Sequence, residues 1–249
     1  MAEWFEDEVF WDTIAPFLFG VVRDDARTEV EVEGLTQVLG VAPGSRILDL
    51  PCGTGRHSVA WAARGHRVTG ADRSEAYLSL AKQRAATRGV EVELVRSDMR
   101  ELVRAGSFDV ALNLFTSLGY FADPVDDLRV LRNLHASLVP GGKAVVEMAG
   151  KELMARNLMP RSWDELPGTD QFLLQEHALL PGLAAVENRW IWIGGAERRE
   201  FRFTLRAYSG TELVRALTDA GFASVELYGD CAGAPYDLTA KRLIAVATK

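Results

Sequence analysis

Ile47-Leu48-Asp49-Leu50-Pro51-Cys52-Gly53-Thr54-Gly55-Arg56-His57-Ser58 is a short apolar run, a glycine turn and the first turn of a helix. Ile47, Leu48 and Leu50 read as a parallel strand buried on both faces. Gly53 and Gly55 let the backbone turn sharply and approach a ligand with no Cβ in the way. A helix that starts near Gly55 points its unpaired N–H groups back over that turn. Many nucleotide sites share a strand, a glycine turn and a helix, so this stretch alone names none of them.

The residues that follow repeat the pattern. A helix is expected from His57 to Arg64, stopped by Gly65, and a second strand over Val68–Ala71. Ser74 can cap a helix from Glu75 to Thr87. Val90–Val95 and Phe108–Phe115 read as strands three and four. A helix over Asp127–Leu138 ends at Val139-Pro140-Gly141-Gly142, and Lys143–Met148 is a fifth strand. Strands alternating with helices predict a parallel sheet covered on both faces, with ligands at the carboxyl edge where strand order reverses.

Two stretches depart from that rhythm. From Glu6 to Phe19 the chain is helical and rich in rings (Phe10, Trp11, Phe17, Phe19, with Phe5 just ahead), and Pro16 interrupts it. It reads as an arm packed on the core that also serves as a lid over the glycine turn. A helix from Asp24 to Leu39 follows. Later, Phe172–Leu180, Val186–Ile193 and Arg199–Tyr208 alternate as three antiparallel strands with one aromatic face, joined at Gly194-Gly195. They are too few to stand alone and must lean on the α/β body. The expected division is a helical lid over 1–40, a main domain over 41–150 and 207–249, and an inserted antiparallel β cap over 151–206. A helix over Thr211–Ala220 and strands over Phe222–Tyr228 and Leu243–Thr248 close the chain.

Polar residues fall at successive strand ends: Asp49, Asp72, Asp98 and Asn113. A single strand-end aspartate commonly caps a helix, but three beside one glycine turn suggest a shared ligand. Asp72 is placed to accept both hydroxyls of a ribose. Asp98 can accept from an adenine amino group while the Met99 N–H serves a ring nitrogen. Asp49 offers negative charge to an amino or sulfonium group.

Asp49–Gly55, Gly70–Ser74, Ser97–Arg100, Phe108–Val110 and Leu138–Gly142, taken in order, resemble the motifs of class I S-adenosylmethionine-dependent methyltransferases, from about Val41 to Lys249. The resemblance implies a Rossmann-like seven-stranded sheet of order 3-2-1-4-5-7-6, with strand seven antiparallel. It implies S-adenosylmethionine as cofactor and S-adenosylhomocysteine as product. Asp49, Gly53 and Gly55 would hold the methionine part, with Arg56 on its carboxylate. Asp72 would bind the ribose, Asp98 and Met99 the adenine, and Asn113 and Phe115 would flank the methyl; Thr54 and Arg73 would also contact the cofactor. Pro51 replaces the usual glycine and offers neither positive φ nor an N–H. The aromatic insert resembles the cap of small-molecule methyltransferases, which implies a small-molecule acceptor methylated at nitrogen or oxygen. Tyr120, Trp163, Trp190, Asp230 and Tyr236 are the candidate acceptor contacts, and Tyr120, His177 and Tyr236 the candidate catalytic groups. His57 and His135 read as structural.

Composition sets limits on partners. The 249 residues are 48% hydrophobic and 25% charged, with net charge −7 and no basic block. That argues against a reader of duplex phosphates. No run approaches the length of a membrane span, and the acidic start is unlike a signal peptide. Cys52 and Cys231 have no metal spacing, so the expectation is a cytoplasmic protein with reduced thiols and no metal. The rival readings are a nucleoside-binding protein without turnover, an aminopropyl transferase, and a nicotinamide dehydrogenase. Ser58 stands where the third glycine of a dinucleotide fingerprint belongs, which disfavours the last. Oligomeric state is not legible in the sequence.

Overall fold

The computed structural model describes residues 3–21 and 25–249, with only the backbone of 19–21. Phe19 and the expected helix start at Asp24 therefore lie outside the described side chains and residues. The chain runs α1 (Glu8–Ala15), α2 (Asp25–Leu39), β1 (Arg46–Asp49), α3 (Arg56–Ala63), β2 (Arg67–Asp72), α4 (Glu75–Arg88), β3 (Glu93–Arg96), β4 (Phe108–Asn113), α5 (Pro124–Ser137) and β5 (Leu138–Met148). It continues through α6 (Lys151–Asn157), β6 (Arg161–Glu165), β7 (Gln171–Leu179), β8 (Ala185–Gly194), β9 (Glu197–Arg206), α7 (Gly210–Asp219), β10 (Ser224–Tyr228) and β11 (Leu243–Thr248).

Seven strands form one sheet in the order β3-β2-β1-β4-β5-β11-β10. The first five are parallel, and β11 runs antiparallel to both β5 and β10. This is the expected 3-2-1-4-5-7-6 order. Adjacent residues of the central strands feed opposite cores, which is why those strands show apolar runs rather than alternation. Leu48, Ala111, Ala144, Val146 and Ala245 pack with Leu131 and Leu134 of α5 and Leu213 and Leu217 of α7. Ile47, Val110, Leu112, Val145 and Ile244 pack with Val32 and Leu35 of α2 and Trp61 of α3. Strand order reverses between β1 and β4, so the carboxyl ends of β1, β2, β3 and β4 border one crevice.

Local chemistry sets the helix ends. Ser74 accepts from the Tyr77 N–H to start α4, and Gly89, at φ +70°, ends it. Ser209 and Glu212 form a reciprocal capping box on α7.

β6, β7, β8 and β9 form a second, antiparallel sheet. β6 and α6 were not expected from the sequence, because Arg161–Glu165 is mostly polar on an edge and carries little periodicity. The β8–β9 turn falls on Gly195-Ala196 rather than Gly194-Gly195, since Gly194 still pairs with Glu197. β3 is shorter than expected, starting at Glu93. The inner face of this sheet (Leu173, Trp190, Phe201, Phe203) packs on Phe10, Ile14 and Phe17 of the N-terminal arm. Trp4 stacks on Phe203 with ring centroids 4.6 Å apart. β9 is tied to the main domain where Arg206 N–H donates to Gly119 O (2.8 Å) and its guanidinium to Asp127 Oδ2 (2.5 Å). Asp127 also accepts from Gly119 N–H and Tyr208 Oη. Gly119 is required there, because a Cβ would stand 2.4 Å from Arg206 O.

Candidate active site

A cleft of about 1140 Å³, mouth included, opens at the carboxyl ends of β1 to β4. Asp49, Asp72 and Asp98 all line it, together with Gly53, Thr54, Arg56, Arg73, Met99, Phe115 and Tyr120. Gly53 has φ +54° and faces open space where a Cβ would stand, so the turn forms a bare cradle on that wall. Gly55 has a different task. It caps α3 at φ +73°, and a Cβ there would sit 2.6 Å from Ala81 Cβ of α4. It belongs to helix packing, not to the cleft wall.

The three carboxylates sit in unlike surroundings. Asp49 is buried and accepts from Ser58 Oγ at 2.6 Å. Burial pushes its pKa up to about 6; Ser58 and Arg56 oppose that rise and the nearby Asp72 adds to it. Asp72 accepts from Gly53 N–H and Ser74 N–H, each at 2.9 Å, which closes the glycine turn onto the end of β2. Burial raises its pKa despite those two bonds. Each of its oxygens keeps a lone pair for a ligand. Burial also works to raise Asp98, but its fork with Arg100 (3.0 and 2.8 Å) prevails and holds it below the usual carboxylate range.

Arg56 lies 8% exposed at the start of α3. Its Nη1 donates to Thr28 Oγ1 (3.0 Å) and Glu31 Oε2 (2.7 Å), while its Nη2 is buried with no hydrogen-bond partner among the described residues. An unpartnered buried guanidinium N–H beside the glycine turn fits an anionic ligand group. His57 lines the cleft but bonds to Glu31 at 3.0 Å, in keeping with a structural role.

The opposite wall is aromatic. Trp11 and Phe5 come from the arm, Tyr77 from α4, and Phe115, Tyr120 and Phe121 from the segment after β4. Arg73 donates to Phe5 O at 2.8 Å, and Arg100 lies over the Phe5 and Phe121 rings at 5.6 and 4.7 Å. The Tyr120 hydroxyl makes no hydrogen bond to any described residue. Burial, and then Asp72, raise its pKa above the ordinary phenol value. Burial likewise raises Tyr77 and Cys52. Glu8 lines the mouth, exposed, with no partner among the described residues.

Several expected contacts lie elsewhere. Asn113 is fully buried beneath the cleft, where its Nδ2 donates to Leu50 O at 2.8 Å. Trp163 is 65% exposed on the edge strand β6. Trp190 is packed among Phe10, Phe203 and His177. His177 bonds to Asn188 Oδ1 at 2.7 Å within the small sheet. Tyr236 donates to Glu152 (2.9 Å), and Asp230 closes its own loop by accepting from Ala232 and Ala234 N–H. None of the described residues from 151 to 206 lines the cleft; the small sheet reaches its walls through the arm and through Arg206, which donates to Phe121 O at 3.2 Å. Tyr77 and Phe121 were missed, since both look like ordinary core residues in sequence. Among the described residues there is no cluster able to hold a metal ion, and no helix long and apolar enough to cross a membrane.

Residues 47–142 match the model of a methyltransferase domain family. YqeM of Bacillus subtilis (strain 168), named a methyltransferase, is 26% identical over 82% of this chain and 84% of its own length. The ubiquinone biosynthesis O-methyltransferase of Marinobacter nauticus is 39% identical over 41% of this chain and 43% of its own. CalS10 from Micromonospora echinaspora, an amino pentose methyltransferase solved with S-adenosylmethionine bound, shares the fold at TM-score 0.66 and 23% identity, over 97% of both chains. Strand order, the bare glycine cradle and the matched domain agree: residues 47–142 carry a methyltransferase domain, set in the fold of class I S-adenosylmethionine-dependent methyltransferases.

Proposed function

We propose that the enzyme methylates a nitrogen of a small-molecule amine in the aromatic half of the cleft. In this reading Asp72 and Arg73 hold the ribose of S-adenosylmethionine, and Asp98 and Met99 the adenine. Thr54, the Gly53 turn and Arg56 Nη2 hold the methionine part, and Asp49 faces its positive charge. When bound, S-adenosylmethionine supplies a sulfonium methyl open to in-line attack. The protein's part is to align the nucleophile and exclude water. Phe5 and Trp11 of the arm cover the cleft, and Phe115 and Tyr120 flank the acceptor.

The observation that carries the choice of nitrogen is that the described residues of the cleft hold no uncommitted imidazole or activated phenol: His57 is bonded to Glu31 at 3.0 Å, the Tyr77 hydroxyl reaches Trp11 O at 3.5 Å, and no described base bonds the Tyr120 hydroxyl. Burial raises Tyr77 and Tyr120 further above the ordinary phenol range, which agrees with that geometry. A neutral amine carries its own lone pair and sheds its proton to water after the N–C bond forms. The aromatic rings and Glu8 at the mouth suit a molecule that is cationic in solution. The M. nauticus relative acts at oxygen, so the choice rests on the cleft and not on relatives.

The test is a panel of amines, phenols and alcohols with isotope-labelled methyl donor, read by mass. The expected result is turnover of amines, with kcat/KM rising with pH through the amine's own pKa. Turnover confined to phenols or alcohols overturns the reading.

A further inference from the structure

The turn that forms the acceptor wall is strained, and one buried carboxylate holds it. After β4 the chain does not enter a helix directly. Phe115 and Thr116 take φ +65° and +56°, left-handed values that residues with a Cβ seldom adopt. Of the described non-glycine residues that do so, the third, Leu183, lies between β7 and β8 and does not line the cleft. Phe115 and its neighbours Leu114 and Ser117 all line the cleft, so the unusual backbone shapes the site.

Glu147, next to last in β5, answers this turn at two points. Its Oε2 accepts from Phe115 N–H at 2.5 Å and its backbone carbonyl from Thr116 N–H at 3.0 Å. Thr116 Oγ1 accepts in return from Ala149 N–H at 3.0 Å. The carboxylate is 6% exposed and has a cationic partner, Arg242, with Nη1 3.7 Å from Oε1. Arg242 Nη2 reaches Glu31 Oε1 at 2.5 Å, and Glu31 Oε2 takes Arg56 Nη1 at 2.7 Å. Arg56 then lies over the Phe115 ring, 5.8 Å from its centroid. The contacts close a ring of alternating charge, Glu147–Arg242–Glu31–Arg56, that grips Phe115 by its backbone at one end and its face at the other.

We infer that Glu147 is a positioning residue for methyl transfer: through Phe115 N–H it holds the left-handed turn that aims the Phe115 ring at the acceptor, and through Arg242 and Glu31 it ties that wall to Arg56. The inference rests on the reading of this cleft as the methyl-transfer site and deepens it. A helix-ward or extended Phe115 would swing its ring away from the cleft, since φ sets where the Cα–Cβ bond points. The proposed donor contacts Asp72 and Asp98 are held by Gly53, Ser74 and Arg100, not by that turn or by Glu147.

The test compares the wild type with Glu147→Ala, Glu147→Gln and the double variant Glu147→Ala/Thr116→Gly. Donor affinity comes from calorimetry, turn order from hydrogen exchange of a peptide spanning 113–118, and kcat and KM from an amine acceptor turned over by the wild type. Glu147→Ala is expected to raise exchange at Phe115 at least tenfold, to raise acceptor KM and lower kcat at least tenfold together, and to change donor affinity less than threefold. Glu147→Gln keeps an oxygen for Phe115 N–H and should restore protection and most of kcat. Thr116→Gly removes the Cβ penalty at φ +56° and should recover part of both in the alanine background. If Glu147→Ala lowers the melting temperature but leaves exchange at Phe115 and acceptor KM as in the wild type, Glu147 is only structural and the inference fails. It also fails if donor affinity falls and acceptor KM rises by the same factor in all three variants. A wild type that binds no S-adenosylmethionine would instead overturn the reading of the cleft itself.

Discussion

Replacing Asp49 by asparagine should strengthen the fold and weaken the donor site at once. Burial raises the Asp49 pKa from 3.8 to about 6. A shift of that size disfavours the ionised form by ~3 kcal/mol at neutral pH. Because the folded pKa is raised, stability from this group is full below pH 3.8, falls as pH rises through 6, and is flat above. Asparagine keeps an oxygen for Ser58 Oγ, which donates at 2.6 Å, but loses the charge assistance of that bond, worth ~1 kcal/mol. The net gain is ~2 kcal/mol at pH 8 and vanishes near pH 4. Urea unfolding of both proteins at pH 4.5 and pH 8, with m-values compared, measures it. On the donor side the same substitution removes a carboxylate facing a cationic ligand, and affinity should fall at least ~10-fold. Wild-type calorimetry at pH 6 in buffers of different ionisation enthalpy should also show up to about half a proton released from Asp49 per donor bound, absent in the variant. A variant less stable than wild type at pH 8, or a stability difference that does not change between the two pH values, refutes the argument.

Asp72→Ala should weaken donor binding by ~2 kcal/mol, read by calorimetry, because it removes both oxygens proposed to accept from the ribose and the bond that closes the Gly53 turn. Gly55→Ala should cost ~2–4 kcal/mol of stability, from positive φ plus the 2.6 Å approach to Ala81, and Ala81→Gly should recover part of it in chemical denaturation. Arg206→Ala leaves Asp127, 1% exposed, without its cation, and should loosen the small sheet by ~2–3 kcal/mol, seen as faster hydrogen exchange along β9. Phe5→Ala empties a site between Arg100 and Phe121 and should make the segment 3–21 far more sensitive to limited proteolysis while the central sheet keeps its protection.

Much of the main domain could be read from the chain because its signals are local. Apolar runs mark strands buried on both faces, and glycines and Ser74 mark their ends, so Asp49, Asp72 and Asp98 fall on one edge as soon as the strands are found. Acceptor contacts were harder, since they depend on how distant segments meet. Trp163, Trp190 and Tyr236 have the right chemistry, but Trp190 faces the arm with the small sheet's aromatic side, Trp163 is exposed on edge strand β6, and Tyr236 bonds to Glu152 from the loop before β11. Glu31, Glu147 and Arg242 lie 31, 147 and 242 residues along the chain and carry no common motif, so only the fold brings their charges together. Asn113 ends a strand at the right edge, but its amide turns down toward Leu50.

The arm is gripped from both sides, by Arg73 and Arg100 on the main domain and by Phe203 on the small sheet. On the proposed reading of the arm as a lid, substitutions in β8 and β9 that never meet the acceptor should register as altered product dwell time with the methyl-transfer step itself untouched.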